Sequence, residues 1–105
     1  VADPAKLGKD IFAEHDIYCG LRNVREFVAM KEQNVFDACI WVDRSEHLPP
    51  ESSESMTLNR GMADYVIDNN TNLYDLGYHC RRVYNIIESE LISDDIDKVA
   101  VLGYD

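Results

Sequence analysis

The feature that most constrains the fold is an apolar segment, FDACIWVD, which runs from Phe36 to Asp43. Apart from Asp37, the residues on both sides of a strand built from this segment are apolar. Such runs are typical of strands that are buried on both faces of a parallel sheet. Parallel strands need crossover connections, usually helices. The segment therefore predicts an α/β chain in which strands and helices alternate.

The flanking sequence supplies this alternation. Pro4 to His15 is predicted to form a helix, with Asp3 as its cap and Leu7, Ile11 and Phe12 on one face. A second helix is predicted to begin at Asn23, because Glu26 follows three residues later as in a capping box. Two further strands are predicted over DIYCG (16–20) and ADYVIDNN (63–70), and a long loop over 44–62.

The last predicted helix covers residues 71–92 and is amphipathic. Its apolar stripe comprises Leu73, Leu76, Cys80, Val83, Ile87 and Leu91. The final segment, KVAVLGYD, is compatible with another strand or with a tail. With 105 residues, the chain fits one domain. The predicted fold is a three-layer α/β domain whose mainly parallel sheet is flanked by helices on both faces.

Charge narrows the classes of partner. The formal net charge is -10, which argues against nucleic acid as a partner because phosphate binding depends on lysine and arginine. Much of the negative charge lies in PPESSES and ESELISDDID, which we interpret as solvated segments. A DNA mimic is the sharper alternative, but the acidic residues form blocks rather than regular stripes.

The chain contains no apolar run long enough for a bilayer and no signal-peptide pattern, so no membrane association and a cytoplasmic location are predicted. It begins at Val1 without a methionine, which is compatible with a processed form or an excerpt of a longer protein. A homo-oligomer is compatible with the sequence, which does not specify one.

Cysteine and histidine provide no recognisable metal or redox motif. The three cysteines form no C-x-x-C pair and their odd number argues against a disulfide framework. Cys19 and Cys39 fall in predicted strands, where a free cysteine is expected to be buried. The three histidines, at positions 15, 47 and 79, are far apart. No metal site is predicted.

Polar residues follow each of the three predicted strands. They are Gly20 to Arg22, Asp43 to Arg44, and Asp68 to Asn70. If the strands are parallel, all three groups emerge at the carboxyl edge of the sheet, where α/β proteins bind ligands. The sequence therefore predicts a ligand site at this edge.

The segments DIYCGLRNVREFVAMKEQNVFDACIWVDRS and DYVIDNNTNLYDLGYHCRRVYNII, with the acidic loop between them, resemble the C-terminal half of phage deoxynucleoside monophosphate kinases. These are P-loop enzymes of the adenylate-kinase-like group. The resemblance covers about Asp16 to Ile87. It implies a domain that supplies part of a nucleotide-binding site for phosphoryl transfer from ATP, in the host cell cytoplasm if the chain is phage-encoded.

The resemblance also implies roles for three arginines. Arg22 and Arg44 match basic positions at the substrate edge, where a planar guanidinium can grip a phosphate. Arg60 falls in a variable segment, 45–61, from which an arginine can reach the transferring phosphoryl group. The structural alternatives are a surface pair between Arg22 and Glu26, a helix or loop cap at Arg44, and a solvated loop around Arg60.

For the turn after the third predicted strand, the resemblance implies contact with the nucleotide base. The residues that match this turn are Asp68, Asn69 and Asn70. Their amides and backbone groups can read a base edge. A helix-capping turn explains DNNTNL almost as well.

A glycine-rich phosphate loop is missing from these 105 residues. The nearest candidate is DPAKLGKDIF, but Asp3 stands where the first glycine is required, Asp10 replaces the serine or threonine, and no strand precedes the segment. We interpret it as part of a helix. ATP and Mg²⁺ would then be cofactors only together with a P-loop half.

Two hypotheses follow from this departure. Either the chain is the C-terminal portion of a larger nucleotide kinase, or it is a shortened relative that kept the scaffold without the chemistry. The second form gives the alternative function, a non-catalytic acidic interaction module of a phage that binds a host protein or a free nucleotide.

Overall fold

The computed structural model describes residues 3–49, 56–90 and 98–104. The described helices are α1 (Lys6–Glu14), α2 (Val24–Glu32), α3 (Leu73–Glu90) and a short 3-10 helix (Arg60–Met62). The described strands are β1 (Ile17–Cys19), β2 (Ala38–Asp43), β3 (Tyr65–Asp68) and β4 (Val99–Tyr104). None of the described helices combines the length and apolar character that a membrane crossing requires.

The four strands form one sheet in the order β1-β4-β2-β3, and every neighbouring pair is parallel. This confirms a small α/β domain with a parallel sheet. Most of the segment KVAVLGYD, Val99–Tyr104, is therefore a strand rather than a tail, and it lies in the interior of the sheet. Val99 pairs with Ile17 of β1 on one side and with Ala38 of β2 on the other.

The first face of the sheet carries the main hydrophobic core. Tyr18, Cys39, Trp41, Ala100 and Leu102 all lie within this buried cluster. Because side chains alternate between the faces of a strand, these residues, which are in register across the sheet, share one face. Their partners from α1 and α2 are Phe12, Phe27 and Met30.

Helices α1 and α2 approach each other closely at one glycine. A Cβ added to Gly8 would lie 2.3 Å from Cε of Met30, and Met30 is itself buried. Gly8 thus belongs to a helix–helix contact, which confirms that LGKD is part of a helix. Part of the stripe predicted for α1 was wrong, because Leu7 is 53% exposed.

Both predicted caps can be compared with the structure. The carboxylate of Asp3 accepts a hydrogen bond from the amide of Ala5, but Ala5 occupies the cap position of α1 and its side chain caps nothing. Asn23 caps α2 as predicted, since its Oδ1 accepts hydrogen bonds from the amides of Arg25 and Glu26.

The second face of the sheet carries α3, which packs against β3. Val83 of α3 is buried but lies outside the first-face core, as does Ala38 of β2. A right-handed β3–α3–β4 connection runs in the opposite direction to β1–α2–β2, so it places α3 on the opposite face. Leu91, the last residue of the predicted stripe, and most of both acidic blocks lie outside the described residues.

The prediction that Cys19 is buried was wrong. Cys39 is fully buried, whereas Cys19 is exposed. The difference comes from the packing of helices on the two faces of the sheet. Cys39 points toward the first-face core, whereas Cys19 points to the second face at a place that no described helix covers. The sequence showed only that both residues belong to strands.

Candidate functional site

The carboxyl edge of the sheet is the place where the chain leaves neighbouring strands toward opposite faces. After β2, Leu58 and Met62 of the connection pack on the first-face core, whereas after β3 the chain enters α3 on the second face. Such a divergence opens a crevice at the carboxyl ends of the strands. The residues that follow β2 and β3 meet at this edge.

The turn after β3 is organised by Asp68 and Asn70. Oδ1 of Asp68 accepts hydrogen bonds from the backbone amide of Asn70 at 3.0 Å and from its Nδ2 at 2.9 Å. Asn70 is buried, and its Oδ1 accepts a hydrogen bond from the amide of Glu46 at 3.0 Å. Nε2 of His47 contacts the carbonyl oxygen of Asn70. Asn70 therefore fastens the turn after β2 to the turn after β3.

Arg44 is held at the same edge by Asn69. Its Nη1 donates a hydrogen bond of 2.7 Å to the carbonyl oxygen of Asn69 and lies 3.5 Å from the Oδ1 of that residue. The amide of Asn69 in turn donates to the carbonyl oxygen of Asp43 at 2.8 Å. Among the residues that the structure describes, no carboxylate forms an ion pair with Arg44. Its positive charge is therefore not neutralised by any of the described carboxylates.

Asp43 forms a second polar group at this edge. Its Oδ1 accepts hydrogen bonds from the amide of Ser45 at 2.9 Å and from Oγ of Ser45 at 2.6 Å. Its Oδ2 lies 3.1 Å from Nη1 of Arg60. The hydrogen bonds from Ser45, with a smaller contribution from Arg60, lower the pKa of Asp43. The carboxylate is therefore ionised at neutral pH and keeps Arg60 at the edge.

A cavity of about 410 Å³ opens beside these groups. Its wall is mainly apolar, and Arg44 and Asn69 are the polar side chains in it. The lining residues are Cys19, Gly20, Val42, Arg44, Leu48, Asn69 and Val101. The cavity thus combines an apolar surface with one guanidinium and one carboxamide.

Gly20 shapes the β1 side of this cavity. Its φ is +94°, a conformation that side-chain-bearing residues rarely adopt. In this conformation its amide donates to the carbonyl oxygen of Val101 in the neighbouring strand β4 at 3.0 Å. The chain can therefore turn away from the sheet immediately after Cys19 and leave the mouth of the cavity open.

Only two of the predicted site residues line the cavity. Arg44 and Asn69 line the cavity, while Asp68, Asn70 and Arg60 belong to the hydrogen-bonded surroundings of the two turns.

Arg22 does not line the cavity. Its carbonyl oxygen accepts hydrogen bonds from the amide of Thr57 at 3.0 Å and from Oγ1 of Thr57 at 3.3 Å. Oγ1 of Thr57 also accepts from the amide of Val24 at 2.8 Å. The turn that contains Arg22 is thus fastened to the β2–β3 connection near α2.

Sequence reasoning missed several lining residues. Leu48 and Val101 are ordinary apolar residues, and nothing in the sequence marks them as part of a site. Cys19 was noted only as a strand residue. Ser45 does not line the cavity, but its contact with Asp43 could have been predicted from the sequence, because an aspartate side chain commonly accepts a hydrogen bond from the residue two positions later in an Asx turn.

The described part of the chain contains no group of three or more histidine, cysteine, aspartate or glutamate side chains that is arranged to hold a metal ion. Comparison of the chain with protein-family models, with curated proteins and with solved structures found no match.

Proposed function

We propose that the carboxyl edge of the sheet binds a nucleotide, and that the domain supplies part of a deoxynucleoside monophosphate kinase site. The observation that carries this proposal is the position of Arg44, whose guanidinium lines an otherwise apolar cavity at this edge. An anionic ligand with a flat, weakly polar body matches that combination. A nucleotide has both parts.

Arg44 would bind the phosphate. One of its nitrogens is occupied by the carbonyl oxygen of Asn69, and this hydrogen bond restrains the orientation of the guanidinium plane. A guanidinium has five N–H donors in a fixed geometry, so further donors remain for phosphate oxygens. Charge-assisted hydrogen bonds of this kind are about twice as strong as neutral ones.

The rest of the cavity would receive the base and sugar. Ligand pockets typically have volumes of about 300–1,000 Å³ and mostly apolar walls with few polar groups, and the volume of about 410 Å³ falls within this range. Val42, Leu48 and Val101 provide apolar contact surface. The carboxamide of Asn69 can donate to or accept from a base edge.

Phosphoryl transfer is part of the proposal only together with a phosphate loop. The 105 residues contain no glycine-rich loop with the required lysine and hydroxyl, and Gly8 and Lys9 lie in α1. ATP and Mg²⁺, which the resemblance implies, belong to that loop, since Mg²⁺ in such sites takes many of its ligands from substrate phosphates and water. We therefore assign these residues to binding and not to the chemical step.

Calorimetric titration of the chain with dAMP, dGMP, dCMP, dTMP and ATP tests the binding proposal. We expect saturable binding of at least one nucleotide. Arg44→Ala should weaken it by about 10- to 100-fold, because hydrogen bonds to charged groups contribute about 1.5–3 kcal/mol. Arg44→Lys should restore only part of the affinity, since lysine lacks the planar fork.

Arg82→Ala is the matched control, because Arg82 is an exposed arginine of α3 and is not among the cavity-lining residues. It should leave affinity unchanged. Circular dichroism of each variant separates loss of binding from loss of fold. Absence of binding to any of the five nucleotides by a folded chain, or equal affinities of the Arg44→Ala variant and the wild type, would contradict the proposal.

A second candidate function is the acidic interaction module. It is favoured by a different observation, namely exposed apolar residues of β1 and α3. Ile17 is 59% exposed and Leu73 is 85% exposed.

A further inference from the structure

A short turn after β2 supplies two side chains of the cavity. The amides of His47 and Leu48 both donate hydrogen bonds of 3.0 Å to the carbonyl oxygen of Arg44. Arg44 and Leu48 therefore begin and end one helical turn, and both line the cavity. Because side chains at this spacing lie on the same side of a helical turn, the guanidinium and one apolar wall of the cavity belong to a single small unit. We call residues 44–48 the wall turn.

The wall turn is fastened to the turn after β3. Nη1 of Arg44 donates to the carbonyl oxygen of Asn69 at 2.7 Å, and the amide of Glu46 donates to Oδ1 of Asn70 at 3.0 Å. Nε2 of His47 contacts the carbonyl oxygen of Asn70. These contacts join residues 23 to 25 positions apart in the sequence. Since one helical turn is not stable in isolation, they hold the wall turn at the cavity.

His47 differs from the other residues of this connection. Arg44 is assigned to the phosphate, and Asn70 also organises the turn after β3 through Asp68. A substitution at either residue would therefore change the site directly. The side chain of His47 is exposed and does not line the cavity. It can act on a ligand only by holding the wall turn in place.

We infer, on the basis of the function proposed above, that His47 is a positioning residue of the nucleotide site. Its contact with Asn70 sets the place of the guanidinium relative to the apolar walls of the cavity. Because a carbonyl oxygen only accepts, Nε2 of His47 carries the proton in this contact. The neutral Nε2–H tautomer and the imidazolium ion both provide that proton.

Loss of the donor at position 47 should loosen the wall turn. The net contribution of one hydrogen bond corresponds to a change of about three- to tenfold in an equilibrium constant. A nucleotide would bind the chain while the wall turn is closed on the cavity, so its apparent affinity falls with the population of the closed turn. We therefore expect an affinity loss of about three- to tenfold.

Two substitutions separate the N–H donor from the aromatic ring. His47→Phe keeps a ring without a donor, whereas His47→Gln keeps a donor without the ring. In calorimetric titration with the nucleotide that the wild type binds most tightly, His47→Phe should bind about three- to tenfold more weakly. His47→Gln should restore affinity to within about twofold of the wild type.

His15→Phe is the matched control for the change of side chain. His15 is exposed, and it precedes β1 at the amino end of the sheet, opposite the candidate site. This substitution should leave affinity unchanged. Circular dichroism of each variant shows whether the fold is retained.

Amide hydrogen exchange measured by NMR gives a readout that needs no nucleotide. In His47→Phe, the amides of Glu46 and Leu48 should exchange about three- to tenfold faster than in the wild type, whereas the amides of β2 should not change. His47→Gln should restore the slower exchange. Saturating nucleotide should slow exchange of the same two amides in the wild type, because ligand binding and closure of the turn are linked.

The outcomes distinguish this inference from the proposed function. If no nucleotide binds to the folded wild type, both fail. If a nucleotide binds equally to the wild type and to His47→Phe, the proposed function stands and the role of His47 is overturned. That role is also overturned if His47→Gln binds as weakly as His47→Phe, or if the amides of Glu46 and Leu48 exchange at the same rate in all three proteins.

Discussion

Replacement of Asn70 by aspartate tests how the two turns of the candidate site are held together. Oδ1 of Asn70 accepts a hydrogen bond from the amide of Glu46, and its Nδ2 donates to Oδ1 of Asp68 at 2.9 Å. Aspartate keeps the acceptor for Glu46 but replaces the donor by a second oxygen. Two carboxylates would then face each other within one turn.

The size of the effect follows from these contacts. A hydrogen bond to a charged group contributes about 1.5–3 kcal/mol, and two like charges 4 Å apart repel by about 1 kcal/mol in a water-like medium. Because Asp68 is exposed, the low end of the first range and the water-like value apply. We expect Asn70→Asp to lower the free energy of unfolding by about 2–3 kcal/mol at pH 7.

The deficit should depend on pH. Repulsion raises the pKa of the introduced carboxyl in the folded state above its unfolded value, so the destabilisation is fully present above the folded pKa. It decreases as the pH falls through that pKa and vanishes below about 3.9, the usual pKa of aspartate. A protonated Asp side chain can also donate to its neighbour, which restores the lost hydrogen bond.

Urea unfolding measured by the fluorescence of Trp41 provides the assay, since this single tryptophan is buried. Asn70→Ala is the control for charge, because it removes both side-chain hydrogen bonds without adding a carboxylate. Its deficit should change little with pH relative to the wild type. The reasoning is refuted if the deficit of Asn70→Asp is the same at pH 7 and pH 4, or if the deficit of Asn70→Ala falls with pH to the same extent.

Three further predictions concern the rest of the chain. Gly8→Ala should lower the free energy of unfolding in urea by about 1 kcal/mol, because overpacking against Met30 costs about 1–3 kcal/mol and the gain in helix propensity is about 1 kcal/mol. An increase in stability would contradict the inference that the added Cβ, 2.3 Å from Cε of Met30, overpacks the contact between α1 and α2. Burial raises the pKa of Cys39 to about 11. At pH 8 an aromatic disulfide reagent should therefore label two thiols per chain quickly, and Cys39 only on unfolding. Rapid labelling of three thiols in the folded chain would disprove this. Several contacts lower the pKa of Asp3 from 3.8 to about 2, and the hydrogen bond from Lys9 contributes most. Asp3→Asn should therefore reduce the melting temperature at pH 7, and the difference from the wild type should be lost as the pH falls from about 4 to 2. An equal difference in melting temperature at pH 2 and pH 7 would exclude this role.

Several features of the fold followed from local sequence. The apolar segment before Asp43 predicted a strand in a parallel sheet, and the structure has β2 there. Asn23 was recognised as a cap because its contacts are with residues two and three positions later. Predictions of this kind succeed because the interactions that decide them lie within a few residues along the chain.

The candidate site was predicted in part for the same reason. In a parallel sheet, the carboxyl ends of the strands meet at one edge, so the positions of Arg44 and Asn69 at that edge followed from the strand ends. The contact between them did not follow, since it joins residues 25 positions apart. The structural use of Asn70 likewise depends on the turn after β2, which packs against it only in the folded chain.

What only the tertiary structure decided is the place of the last strand and what it leaves uncovered. The segment KVAVLGYD is apolar wherever it lies, but its position between β1 and β2 depends on which edges were free for pairing. Because β4 lies between β1 and β2, Val101 lines the cavity. In the same sheet Cys19 is exposed, although Cys39 is buried in an equally apolar strand. Local sequence determines which residues can form strands and caps, whereas strand order and burial depend on contacts between distant segments, and these exist only once the chain has folded.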